Sequence, residues 1–121
     1  MAKIFEYMLN HSHISPGKRK VMEPINLTES DIEELSKVFQ TLSDPSRLRI
    51  IEILTQDENI TVSEIAERVN LSVSSVSHQL SKLKDRGFVG AKKIGRKAIY
   101  RVKDDCIYSI LRRATVHVRD Q

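Results

Sequence analysis

The chain has a single cysteine, Cys106, among 121 residues. It therefore holds no internal disulfide framework, and a free thiol persists most readily in a reducing compartment. No stretch approaches the roughly 20 consecutive apolar residues of a membrane span, and the N-terminus carries no apolar run of the kind that makes a secretory signal. A cytoplasmic location is expected. Glycine is scarce, four residues in all, and none sits in a loop built to cradle phosphate. The serines cluster with no positioned base or acid beside them, so an enzyme is not expected. The remainder is 40% apolar and 30% charged, enough for one small core that leans on a partner subunit.

Charge is unevenly spread. Residues 72–101 read SVSSVSHQLSKLKDRGFVGAKKIGRKAIYR and hold eight basic side chains: Lys82, Lys84, Arg86, Lys92, Lys93, Arg96, Lys97 and Arg101. Only Asp85 opposes them, a local balance of +7 in a chain whose total is +4. One strongly basic face hidden inside a modest overall charge is the electrostatic footprint of a nucleic-acid binder.

Residues 1–27 form a partly flexible arm containing His11, His13, Pro16, Gly17 and the basic run Lys18, Arg19, Lys20. Only residues 4–9 have the pattern of a helical turn or two. Residues 28–121 make one domain. Thr28 with Asp31 resembles a capping box ahead of Ile32, Leu35, Val38, Phe39 and Leu42, which recur at helical spacing and predict a first core helix. Asp44 then offers an N-cap with Pro45 at the first helical position. The helix it starts carries Leu48, Ile50, Ile51, Ile53 and Leu54 and is expected to be the most buried element. Thr61 and Glu64 repeat the capping-box spacing before a short third helix with Ile65, Ala66 and Val69.

Asn70 and Leu71 make a turn, and Ser72 caps a fourth helix that Gly87 ends. Val73, Val76, Leu80 and Leu83 lie along one face and are expected to be buried. The opposite side presents Ser74, Ser75, Ser77, His78, Ser81 and Lys82, short or flexible groups suited to phosphates and base edges. A short helix, a turn and a long helix in this order form a helix-turn-helix. Alone, such a polar face is commonly just a solvated surface, and the segment C-terminal to it tips the balance. Residues 88–93 and 97–102 alternate as two strands, and Gly95 permits a tight turn bringing Lys93, Arg96 and Lys97 to the tip. Helix and hairpin together read as a recognition helix and a wing for double-stranded DNA. The expected fold is mainly α with a small β-hairpin, a winged helix-turn-helix dimerising through its N- and C-terminal helices.

The order of elements and the strings DPSRLRIIEIL, SVSSVSHQLSKLKDRGFV and GRKAIYRV resemble the ArsR/SmtB family of small winged-helix repressors over roughly residues 32–121. The resemblance implies a homodimer that binds an inverted-repeat operator and releases it when a metal ion or other inducer binds.

The last segment can be read on its own. Asp104 or Asp105 caps a helix whose Ile107, Ile110, Leu111, Ala114 and Val118 make an apolar stripe suited to a dimer interface. Beside it stand Cys106, His117 and Asp120. At about 100° per residue Cys106 and His117 return to nearly one face, yet about 16 Å apart along the axis, too far to share an ion within one helix. Two copies packed antiparallel solve this, because Cys106 with His117 and Asp104 with Asp120 are centred on nearly the same point of the helix. Asp104 and Cys106 of one subunit would then meet His117 and Asp120 of the other, four ligands that suit tetrahedral Zn²⁺. This set matches the C-terminal-helix zinc site of the resembled family with two departures: Cys106 replaces the usual first His, and Asp120 stands where Glu or His is usual. The thiolate biases the site toward softer ions such as Cd²⁺.

The family's other common metal site uses a cysteine pair at the third helix, where this chain reads TVSEI, so a multi-thiolate arsenite or lead site there is excluded within one subunit. His11 and His13 are either additional ligands or part of a solvated tail. Two further readings of the whole stay open: a regulator of the same fold that senses no metal, with Cys106 structural or a redox switch, and a protein-interaction module. The latter predicts no salt-dependent binding to duplex DNA.

Overall fold

A computed structural model describes residues 22–121; the expected turn at residues 4–9, His11 and His13 lie outside the described residues. The elements run α1 (Glu29–Leu42), α2 (Pro45–Gln56), β1 (Ile60–Thr61), α3 (Val62–Val69), α4 (Val73–Asp85), β2 (Val89–Ile94), β3 (Lys97–Val102) and α5 (Asp105–Arg119). Every helix start foreseen from the caps is present. Thr28 and Asp31 exchange reciprocal hydrogen bonds of 3.0 Å, and the Asp44 carboxylate accepts from the backbone N–H groups of Ser46 and Arg47 with Pro45 at the first position. Thr61 and Glu64 close a second capping box. Ser72 accepts from Ser75 and Asp104 from Cys106. Such side chains satisfy the N–H groups that a first helical turn leaves without partners, each worth about 1 kcal/mol.

The core gathers Ile50, Ile51, Ile53 and Leu54 of α2, Ile60 of β1, Ile65 and Ala66 of α3, Val76, Leu80 and Leu83 of α4, then Phe88, Val89 and Ile107. Helix α2 lies at its centre, as its composition predicts. The sheet has three strands in the order β1-β3-β2, one more than the expected hairpin, because Ile60 and Thr61 pair with Tyr100 and Ile99. A two-residue strand is too short to alternate, and Thr61 serves also as the N-cap of α3.

Three expectations need correction. Phe88 is not in the hairpin: its N–H donates to the Leu83 carbonyl at 2.9 Å and closes the end of α4, so the ladder starts at Val89. Val73 is 50% exposed, since it stands in the first turn of α4, beyond the cover that Val76, Leu80 and Leu83 find. Helix α1 buries only its C-terminal end, with Thr41 and Leu42 inside and Val38 packed on the core. Its Ile32, Leu35 and Phe39 are 45%, 39% and 54% exposed, because the apolar stripe is broader than one chain's core can cover. Helix α5 likewise docks through Ile107, Ile110 and Leu111, leaving Ala114 and Val118 exposed. Among the described residues no helix is long and apolar enough to cross a membrane.

Candidate nucleic-acid interface and candidate metal ligands

The turn between α3 and α4 is made by Asn70, whose left-handed backbone (φ 57°) suits asparagine, while the Leu71 N–H donates to the Ala66 carbonyl at 3.1 Å. Burial of Val76, Leu80 and Leu83 fixes the rotation of α4 about its axis. That rotation brings Ser74, Ser77, His78, Ser81 and Lys82 to the exposed side together, with Ser75 half-buried at its margin.

The wing continues this surface. Antiparallel pairing runs from Val89 opposite Val102 to Ile94 opposite Lys97, and Gly95, at φ +65°, takes the first position of the two-residue turn, which a type II′ hairpin reserves for glycine. Lys93, Arg96 and Lys97 are all exposed at the tip. The register splits them: Lys93 shares a face with Ala91, Ala98 and Tyr100, whereas Lys97 lies with Lys92, Ile94, Ile99 and Arg101 on the other. Lys92 and Arg101, two of the eight basic side chains counted in the sequence, thus stand on the Lys97 face of the wing; strand alternation was the signal that could have placed them there.

Among the described residues the ion pairs are Lys37 with Glu33 and Glu34, Arg68 with Asp57, and Arg86 with Glu34. Lys82, Lys93, Arg96 and Lys97 take part in none of them, so their charge is uncompensated locally and is felt by an approaching polyanion. Sequence reasoning also passed over Arg47, whose Nε donates to Gln79 Oε1 on α4 at 2.7 Å and whose Nη1 donates to the Thr41 carbonyl at 3.0 Å. Nothing in the sequence announces a contact between residues so far apart.

On α5, Asp104 caps the helix and turns its Oδ1 to the Cys106 N–H at 2.8 Å. Cys106 is a free, exposed thiol. His117 is exposed near the other end, where the Gln121 carboxamide nitrogen lies 2.7 Å from its Nε2. A metal ion at Nε2 would compete with this contact for the same ring nitrogen. Asp120 follows the last turn and is half-buried. Within the described residues of one chain no three His, Cys, Asp or Glu groups converge on a point, as the length of α5 between Cys106 and His117 dictates. The donor set of thiolate, imidazole and two carboxylates fits a tetrahedral divalent ion. The exposed apolar faces of α1 and α5 accompany it, the former forming a shallow groove lined by Leu27, Ile32, Leu35 and Phe39.

Comparison with known proteins agrees with this layout. A family model described as winged helix-turn-helix DNA-binding matches residues 43–89. The chain is 35% identical over 107 residues to the HTH-type transcriptional regulator NmtR of Mycobacterium tuberculosis, covering 87% of this chain and 85% of that one. It is 33% identical over 85 residues to the cadmium resistance transcriptional regulatory protein CadC of Listeria innocua, covering 70% and 71%. Among solved structures, M. tuberculosis Rv0081 superposes with a TM-score of 0.71 at 30% identity, over 77% of this chain and 93% of that one.

Proposed function

The chain belongs to the ArsR/SmtB family of winged helix-turn-helix transcriptional repressors, a regulator and not an enzyme, and we propose that it works as a homodimer on an inverted-repeat operator from which a metal ion, zinc or a softer divalent cation, releases it. The observation that carries this reading is the coincidence on α5 of apolar residues that the chain's own core leaves uncovered, Ala114 and Val118, with Cys106 and His117, two soft-to-borderline donors too far apart to serve one ion within a chain.

Dimerisation would bury Ile32, Leu35 and Phe39 of α1 with Ala114 and Val118 of α5. Full burial of an aliphatic or aromatic side chain is worth about 1.5–3 kcal/mol, so this face has strong reason to find a partner. Its two-fold copy is the self-complementary solution. The two recognition helices α4 then address successive major grooves, with Ser74, Ser75, Ser77 and His78 toward base edges and Lys82, Lys93, Arg96 and Lys97 toward phosphates.

Asp104 and Cys106 of one protomer with His117 and Asp120 of its partner are the residues that would hold the ion. An ion there supplies electrostatic cross-linking between the two α5 helices. Capping by Asp104 and the Gln121 contact to His117 are the interactions those side chains must exchange for it. Because the ion favours one setting of the α5 pair and DNA another, each weakens the other's binding by the same factor, commonly about 1–3 kcal/mol. The name of the relative CadC supports a metal-linked role. A regulator of this fold that ignores metal is the second reading, favoured by the shortness of Asp120.

Binding of the purified protein to a fluorescent duplex carrying its operator, with and without stoichiometric Zn²⁺ at fixed salt, tests the proposal. Tight binding relieved by zinc is expected. Tight binding indifferent to zinc and to Cd²⁺ leaves a DNA-binding protein and removes the metal.

A further inference from the structure

Gln79 is the residue on α4 best equipped by type to read DNA, since a free carboxamide pairs bidentately with adenine. It is not free. Its Oε1 accepts from Arg47 Nε at 2.7 Å in a partly buried setting. Arginine has no acceptor, so the orientation of the amide is dictated: its oxygen is held toward Arg47, with one of its two lone pairs taken and the carboxamide no longer free to turn to a base.

Arg47 is itself held from both sides. Its backbone N–H donates to the Asp44 cap at the start of α2, and its Nη1 donates to the carbonyl of Thr41 in the last turn of α1 at 3.0 Å. Thr41 is buried, its own hydroxyl bonded back to the Lys37 carbonyl. One guanidinium therefore joins the end of α1, the start of α2 and the middle of α4. Two turns on, at the C-cap of α4, Arg86 reaches Glu34 of α1 at 3.7 Å, an exposed pair on the same side of the helix. Helix α1 is also the element whose outward face carries the uncovered Ile32, Leu35 and Phe39.

We infer that Arg47 is a positioning residue for operator recognition: acting through Gln79, it fixes the recognition helix to α1, so that the spacing of the two recognition helices follows the setting of the dimer helices. The inference rests on the homodimeric DNA-binding reading above. A planar fork that donates in two directions is what the role demands, and lysine, a point donor on a flexible stem, does not replace it.

The test is a double-variant cycle with Arg47→Lys, which keeps the charge, and Gln79→Met, which keeps the size and removes the acceptor. Each is measured against an operator selected by the wild-type protein from random duplexes, against operators with half-sites moved by one base pair in either direction, and against a non-specific duplex. Each single variant is expected to bind the operator about tenfold more weakly, with non-specific affinity and salt dependence near wild type, with Tm lowered by a few degrees in both, and with a flattened preference for half-site spacing. The double variant is expected to lose no more than either single one. Effects that multiply in the double variant overturn the inference. So does relaxation at a single base position by Gln79→Met with Arg47→Lys unaffected, which would make Gln79 a base reader. Should Gln79→Met fail to fold, Gln79→Glu retains an acceptor and must retain the spacing preference despite its added charge; loss of that preference refutes the inference. Failure of the wild type to select any operator would instead sink the DNA-binding reading itself.

Discussion

Removing two cations from the wing tip, Arg96→Ala with Lys97→Ala, should change how binding depends on salt more than it changes the protein. Both side chains are exposed, and neither takes part in the ion pairs among the described residues, so the folded state loses little; surface changes of this kind stay within about 0.5 kcal/mol. If Lys82, Lys93, Arg96 and Lys97 of both protomers each neutralise a phosphate, the slope of log K against log salt is about −7, at about 0.9 per contact. The double variant removes four contacts per dimer and brings the slope to about −3.6. Between about 50 and 200 mM salt the wild type then weakens by about four orders of magnitude and the variant by about two. Fluorescence anisotropy on a labelled operator across that range reads both slopes directly. A variant slope within about 0.5 of wild type would refute the placement of the wing on DNA, whatever happens to affinity at a single salt concentration.

Other perturbations address the core, the dimer face and the metal ligands. Leu80→Ala, at a fully buried position on α4, should cost about 2–5 kcal/mol and lower Tm in calorimetry; a loss under about 1 kcal/mol would mean that α4 is not packed as described. Phe39→Glu, on the uncovered face of α1, should move sedimentation equilibrium toward monomer and weaken operator binding in step, and a dimer of unchanged strength would place the interface elsewhere. Cys106→Ser should weaken Zn²⁺ and Cd²⁺ binding, the softer ion more. In the wild type both affinities should fall as pH is lowered, because thiol and imidazole must shed their protons to ligate; an affinity flat from mildly acidic to mildly alkaline buffer contradicts the ligand set.

The features legible in the sequence were the local ones. Thr28, Asp44, Thr61, Ser72 and Asp104 all cap helices, because a cap is settled by residues two or three positions apart. The isoleucines of α2 announced its burial because its composition leaves no other face to hide. What stayed hidden depends on distant partners. Strand β1 exists only because Tyr100 and Ile99 lie beside Ile60 and Thr61. The outward face of α1 reads in sequence like any core stripe, since periodicity reports that a face is apolar and not which chain covers it. The bond between Arg47 and Gln79 spans 32 residues and leaves no pattern at either end. For the same reason the surface proposed to face DNA could be drawn up from spacing, while a ligand set shared between two chains can be drawn up only as a geometric requirement on α5.

A mixed dimer tests the central claim most directly. One differently tagged protomer carries Cys106→Ser and the other His117→Ala, and the heterodimer is purified through both tags. If each site takes Cys106 from one chain and His117 from the other, one of its two sites lacks both residues and the other is intact. The mixed dimer is then expected to bind one Zn²⁺ tightly and to give up its operator when it does, although neither parent homodimer does either. A mixed dimer that binds zinc no better than its parents would contradict a site shared between the chains.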